Sequence, residues 1–119
     1  MNISASQRGS VTVLALEGRL DTTGAPELQG RVEQLIASGD RAVVLDFAAV
    51  KFVSSEGLRA ILVSSKRAAA AGGAVLVAAP SPLVREVFDI AGFARILDIH
   101  LTMDAAVERA GARTGAVRP

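Results

Sequence analysis

Two adjacent serines, Ser54 and Ser55, are the side chains of this sequence best placed to do chemistry. They lie between an apolar run and a helical pattern that begins near Leu58. A hydroxyl at a helix N-terminus can cap the helix by accepting a hydrogen bond from a free backbone N–H. The same position suits a phosphate, because free N–H groups and the helix dipole stabilise negative charge there. Either serine could be the cap, and cap and phosphate acceptor could be one residue.

Two further polar segments are candidates for contact with a partner. The run Asp21, Thr22, Thr23 and Gly24 precedes another helical pattern, so it is either a capping turn or a partner-binding loop. On the helix after Ser55, basic side chains form either a solvated face or a contact surface: Arg59, Lys66 and Arg67.

The sequence lacks the combinations of residues that a catalytic site would need. His100 is the only histidine, and we expect it to be an exposed residue at a strand end without a nearby Ser–Asp set. The carboxylates are scattered and have no metal-ligand spacing. No glycine-rich phosphate motif occurs. We therefore expect no catalytic activity, no bound metal and no cofactor.

Composition narrows the class of protein further. The 119 residues suffice for one domain, and half are hydrophobic, with only 3% aromatic, so the core must be aliphatic. A net charge of +1 without a basic cluster argues against direct nucleic-acid binding. Without cysteine there are no disulfides or thiolate sites. No signal peptide or apolar run of about 20 residues occurs, so we expect a soluble cytoplasmic protein that does not insert into membranes.

Strands and helices alternate in the hydrophobic pattern. Predicted strands are Asn2–Ser6, Val11–Glu17, Ala42–Phe47, Ala74–Ala78 and Arg95–Ile99, and predicted helices start near Asp21, Ser54, Ser81 and Thr102. The stretch from Phe47 to Leu58 reads as a loop. The order ββαβαβαβα predicts an α/β fold with a mixed, mostly parallel sheet covered by helices. We expect a single domain over residues 1–110 and a flexible C-terminal tail over 111–119.

Four segments in this order and spacing resemble the STAS domain, the family of bacterial anti-sigma factor antagonists. The anchoring segments are Glu17–Asp21, Leu45–Phe47, Phe52–Leu58 and Ser81–Phe93, within a match from about Ile3 to Ala110.

The resemblance implies a partner switch. An unmodified antagonist binds an anti-sigma factor that is also a serine kinase, which frees the sigma factor. The kinase then phosphorylates the serine ahead of the second helix, here Ser55, and a serine phosphatase resets it. Two positions depart from the family pattern, because Ser54 stands where Asp is common and Glu56 stands where a small residue is common. The implied partner surface comprises Asp21, Thr22, Thr23, Ser54, Ser55, Glu56, Gly57 and Arg59.

Two other interpretations stay open at this stage. The chain could be a STAS subunit of another assembly, such as a lipid transport complex, a stress-sensing scaffold or a transporter. It could also be a small enzyme or nucleotide binder on a flavodoxin-like sheet, which the missing base, metal set and phosphate loop disfavour.

Overall fold

The computed structural model describes residues 1–113, which form five strands, four α-helices and one 3-10 turn. The strands are β1 (Asn2–Arg8), β2 (Val11–Leu20), β3 (Ala42–Val53), β4 (Ala74–Ala78) and β5 (Asp98–His100). The helices are α1 (Gly24–Ala37), α2 (Ser55–Ala70), α3 (Pro82–Ile90) and α4 (Met103–Arg113), and the 3-10 turn is Phe93–Arg95. The predicted order of elements, ββαβαβαβα, is confirmed.

The five strands form one sheet in which the spatial order follows the chain order, β1 to β5. β1 is antiparallel to β2, and β2 to β5 are mutually parallel. Right-handed crossovers that always step in one direction place their helices on one face of the sheet. Nucleotide-binding crevices of open α/β sheets form where the strand order reverses. This sheet has no reversal within residues 1–113, which further disfavours a flavodoxin-like nucleotide site.

Two hydrophobic clusters pack on opposite faces of the sheet. On the face covered by α1, α2 and α3, the largest buried side chains include Leu14, Leu45, Phe47 and Phe88. The rings of Phe47 and Phe88 lie 5.7 Å apart between centroids, so α3 is held against β3 by an aromatic pair. The other face is covered by α4, whose buried residues Ala106 and Ala110 pack on a second cluster that contains Val44 and Leu76.

The segment predicted as a loop after Phe47 is instead the second half of β3. The strand continues to Val53 because β2 also continues, to Leu20, and the two remain paired. Two register shifts occur along this half, so that β3 needs more residues than β2 to cover the same length. Its buried residues are consequently Phe47, Val50 and Val53, a spacing that matches neither a regular strand nor a helix.

The boundaries of β5 and α4 also differ from the predictions. β5 begins at Asp98, because Phe93–Arg95 form a 3-10 turn and Ile96 is exposed. α4 extends to Arg113, three residues past the predicted end, and the rest of the predicted tail, 114–119, lies outside the described residues.

The buried side of α2 does not include all of its apolar residues. It consists of Gly57, Ala60, Ile61, Ser64 and Ala68. Leu58, Leu62 and Ser65 are only partly buried, since they lie on one flank of the helix.

Ala79 holds a backbone conformation that costs an L-residue energy, with φ at 55°. Its N–H donates to the His100 carbonyl at 2.8 Å, which ties the end of β4 to β5. We expect Ala79→Gly to raise the free energy of unfolding by roughly 0.5–1 kcal/mol, because glycine adopts this conformation without steric cost. Gly39→Ala, with φ at 97°, should lower it instead. Urea denaturation measures both, and a loss of stability in Ala79→Gly would contradict the argument.

Candidate functional site

The two polar segments singled out in the sequence leave the sheet at the same edge. Leu20 and Val53 are paired at the ends of the parallel strands β2 and β3. Asp21 and Ser54 follow them directly. The Ser54 N–H donates to the Leu20 carbonyl at 2.9 Å, which joins the two strand ends just before α1 and α2 begin.

Ser54 is the residue that caps α2. Its Oγ accepts a hydrogen bond from the Gly57 N–H at 3.1 Å, and its carbonyl accepts from the Leu58 N–H at 2.9 Å. Its extended backbone, with φ −88° and ψ 176°, is typical of an N-cap. Ser55 is the first helical residue, and its side chain is exposed. The question that the sequence left open is therefore settled, since the cap is Ser54 and not Ser55.

Gly57 is in contact with the backbone of β2. A Cβ at this position would overlap the Leu20 carbonyl oxygen and lie 2.9 Å from Leu20 Cγ. Neither atom can move away easily, because the carbonyl also holds the Ser54 N–H and the Leu20 side chain is fully buried. Gly57 thus contributes no side chain to a surface, but it permits α2 to begin this close to β2.

Asp21 begins α1 through hydrogen bonds to the backbone. Its Oδ1 accepts from the Gly24 N–H at 3.2 Å and from the Thr23 N–H at 3.1 Å. The hydrogen bond from Gly24 is the main reason why the pKa of Asp21 lies below its ordinary value. Partial burial opposes this shift, and the Thr23 N–H and Arg19 guanidinium add to it. The predicted capping turn is confirmed, with Asp21 supplying the oxygen.

A groove between α1 and α2 brings several of the predicted site residues together. Thr22, Glu56 and Arg59 line it, with Pro26 and Glu33 from α1, around a volume of about 440 Å³. Thr23 and Ser55 are exposed, and Ser54 is half-buried. Carboxylates and one guanidinium therefore share this groove, next to an exposed hydroxyl at the start of α2.

An exposed cation–π pair at the same edge was not predicted as part of the site. The Arg19 guanidinium lies 4.1 Å from the centroid of the Phe52 ring, and Phe52 is 39% exposed. Arg19 Nε is also 3.7 Å from Asp21 Oδ2. The two residues are opposite one another only because of the register shifts between β2 and β3, so their separation in the sequence gave no signal of the contact.

His100 differs from its predicted surroundings. It is partly buried, and its Nε2 lies 2.8 Å from Asp98 Oδ1, so a carboxylate does accompany this histidine. Arg109 Nε approaches the other oxygen of Asp98 at 3.7 Å. This cluster lies on β5 and α4, and not at the Ser55 edge.

Two features are absent from residues 1–113. No group of three or more His, Cys, Asp or Glu side chains in this range is arranged to hold a metal ion. Nor does any helix in the same range have the length and apolar character required to cross a bilayer.

This chain matches a known domain family and resembles known proteins in sequence. The family model of the STAS domain matches residues 2–106. Among curated proteins, the chain is 29% identical over 106 residues to BtrV of Bordetella bronchiseptica, whose name describes a candidate anti-sigma factor antagonist. That alignment covers 89% of this chain and 91% of BtrV.

Solved structures share the fold at lower identity. An anti-sigma factor antagonist from Mycobacterium paratuberculosis has a TM-score of 0.82 at 24% identity, and the match covers 92% of each chain. The Bacillus protein SpoIIAA in its phosphorylated form has a TM-score of 0.69 at 22% identity, covering 91% of this chain and 98% of SpoIIAA.

We predict that Gly57 is the least replaceable residue of this edge. Gly57→Val should lower the free energy of unfolding by about 2 kcal/mol or more, since its side chain overlaps the backbone of Leu20. Gly30→Ala is the matched control, because a Cβ at that position in α1 meets nothing within 4 Å. It should stabilise the protein by roughly 0.5–1 kcal/mol. Thermal melts compare them, and an unchanged melting temperature for Gly57→Val would refute the overlap.

A second prediction concerns pH. Because the folded pKa of Asp21 is lowered, its charge stabilises the fold fully above the unfolded pKa of about 3.9. This contribution is lost as the pH falls through the folded pKa. Asp21→Asn should therefore be less stable than the wild type at pH 7, and the difference should vanish in strong acid. Asp40→Asn controls for net charge, and a difference independent of pH would rule out the carboxylate.

Proposed function

We propose that this chain, which belongs to the STAS domain family, is an anti-sigma factor antagonist that is switched by phosphorylation of Ser55. The unmodified protein binds an anti-sigma factor that is also a serine kinase, and this binding frees a sigma factor. Phosphorylation of Ser55 ends the binding, and a serine phosphatase restores it. The cycle takes place in the cytoplasm, where transcription occurs, and the chain acts in it by binding and not by catalysis.

The position of the Ser55 hydroxyl carries this proposal. Ser55 is exposed at the first residue of α2, and its hydroxyl makes no hydrogen bond to another described residue. Capping is performed by Ser54, so a kinase can modify Ser55 without removing the cap. The N–H groups of the first turn and the helix dipole favour negative charge at this position.

Phosphorylation would act through charge. A phosphate adds about −1.5 to −2 charge to an edge that already carries the Asp21 and Glu56 carboxylates. Burying this charge against a partner without a matching cation costs several kcal/mol. Arg59 lies four residues after Ser55 and is exposed on the same side of α2. A phosphate on Ser55 would attract Arg59 and withdraw it from a partner, so that one modification both adds repulsion and removes a contact.

Glu56 sets this switch apart from the usual family pattern. Its carboxylate is exposed directly after the acceptor, where it repels a phosphate on Ser55. We propose that the cognate kinase offsets this repulsion with a basic side chain of its own. The Glu56→Ser variant would then be phosphorylated without the need for this basic side chain.

The function is tested by reconstitution. A tagged form of the chain is used to isolate its partner, which mass spectrometry identifies, and the purified partner is then loaded with its sigma factor. Added antagonist should release the sigma factor, and antagonist phosphorylated by that partner should not. Recovery of a transport ATPase instead, with no anti-sigma factor, would contradict the proposal.

We predict that the two serines respond differently to substitution. Ser55→Ala should bind the partner and resist phosphorylation, whereas Ser55→Asp should bind more weakly than wild type because it carries part of the phosphate charge. Ser54→Ala should still be phosphorylated on Ser55, but should lose about 1 kcal/mol of stability with the cap. Fragment mass spectrometry locates the phosphate. Phosphate on Ser54, or none with the true kinase present, would overturn the assignment.

A further inference from the structure

The groove between α1 and α2 contains a glycine that the packing of this chain does not require. Gly30 lies near the middle of α1, is exposed and lines the groove. Among the described residues, a Cβ at this position would meet nothing within 4 Å, in contrast to a Cβ at Gly57. A glycine inside a helix lowers stability relative to alanine, because it loses more conformational freedom on folding. The space above Gly30 is therefore open to a group from another molecule.

The α1–α2 groove combines an apolar floor with a carboxylate that has no partner. Ala25 and Ala60 are buried and form the floor. Glu33 lines the groove as well, but its Oε2 lies 3.1 Å from Arg67 Nε, so this carboxylate is paired. Glu56 forms no ion pair with another described residue. A cation from outside the chain can therefore pair with Glu56 without breaking an existing contact.

The groove begins at the edge that carries the proposed phosphorylation site. Glu56 directly follows Ser55, and Thr22 directly follows Asp21, and both Glu56 and Thr22 line the groove. Both helices contribute to its walls, and the Glu33–Arg67 ion pair joins them further along. A protein that binds over Ser55 therefore lies beside the entrance of the groove.

The length of the floor indicates the chemistry of the occupant. Pro26 and Gly30 both line the groove and are four residues apart on α1, which corresponds to about 6 Å along the helix axis. The stem of a lysine or arginine covers such a length with three or four methylenes and carries its charge at the far end, whereas the stems of Asp and Glu are shorter. A basic side chain therefore matches both the apolar floor and the unpaired Glu56.

We propose that the α1–α2 groove receives an arginine or lysine side chain of the anti-sigma factor, an inference that rests on the proposed function. The stem of this side chain passes over Gly30, and its charged head lies beside Glu56. It is the basic side chain with which the cognate kinase offsets the repulsion between Glu56 and a phosphate on Ser55. Gly30 and Glu56 thereby determine which anti-sigma factor binds, because a partner without the basic residue would cover Glu56 without neutralising it.

The first experiment fills the groove at Gly30. Calorimetric titration uses the purified anti-sigma factor that the pull-down identifies. Gly30→Leu should bind it at least about 30-fold more weakly, because the leucine occupies the place of the stem. The control is Ala105→Leu, an exposed position on α4 at the opposite face of the sheet, which should bind like wild type. Gly30→Ala should melt at a higher temperature and yet bind more weakly, a combination that a loss of structure cannot produce.

The second experiment is a double-mutant cycle between Gly30 and Glu56. Glu56→Gln alone should weaken binding about 10-fold, since the cation of the partner loses its counter-charge. In the Gly30→Leu background the same substitution should have no further effect, because the basic side chain has already been displaced. Glu27→Gln removes an exposed carboxylate of α1 that does not line the groove, and it should leave binding unchanged.

The outcomes separate this proposal from the function on which it rests. If the wild type releases the sigma factor and Gly30→Leu binds as tightly as the wild type, the groove is not occupied and the function stands. If the effects of Gly30→Leu and Glu56→Gln add, no single side chain contacts both positions and the proposal is overturned. Tighter binding by Glu56→Gln would indicate an acidic occupant and also overturn it. If the wild type binds no anti-sigma factor, both proposals fail. Circular dichroism verifies that each variant is folded.

Discussion

The close approach of α2 to the end of β2 is the constraint on which this edge of the molecule depends. The Leu20 carbonyl accepts the Ser54 N–H and lies against Gly57 at the point where any side chain would overlap it. Two strand ends and one helix start are thereby fixed to a single backbone group. The backbone position of Ser55 is set by this junction, so its exposed side chain projects from a fixed point.

Neighbouring residues at this junction have different structural roles. Ser54 accepts a hydrogen bond from the first turn of α2, and Asp21 accepts one from the first residue of α1. Gly57 leaves room for α2 to begin beside the end of β2. The side chain of Ser55, in contrast, makes no hydrogen bond to another described residue. In the proposed switch, this separation would leave the hydrogen bonds of the fold intact when a phosphate is added to Ser55. In the same proposal, the groove residues Glu56 and Arg59 would repel and attract that phosphate, respectively.

Regular elements of the fold could be predicted from the sequence, but their exceptions could not. β4 is a continuous apolar run and α1 has a clear helical period, so both followed from pattern alone. The second half of β3 did not, because its bulges bury Phe47, Val50 and Val53 at a spacing that belongs to no regular element. The sequence also could not assign the cap to Ser54, because adjacent serines have the same chemistry. Only the backbone angles distinguish the two residues. Leu83 and Ile90 of α3 could be seen as apolar residues, but not as exposed ones.

The bulged half of β3 is poorly shaped for pairing with strands of other molecules. Beyond the pairing of Asp46 with Ala78, β3 has a neighbouring strand, β2, on one side only within the described chain. A straight strand exposed in this way would present an evenly spaced row of N–H and C=O groups to strands of other molecules. The bulges interrupt that spacing, and Lys51 adds a charge that would have to be desolvated in a growing intermolecular sheet. The irregularity that makes the segment hard to recognise in sequence thus also makes this strand a poor template for an intermolecular sheet.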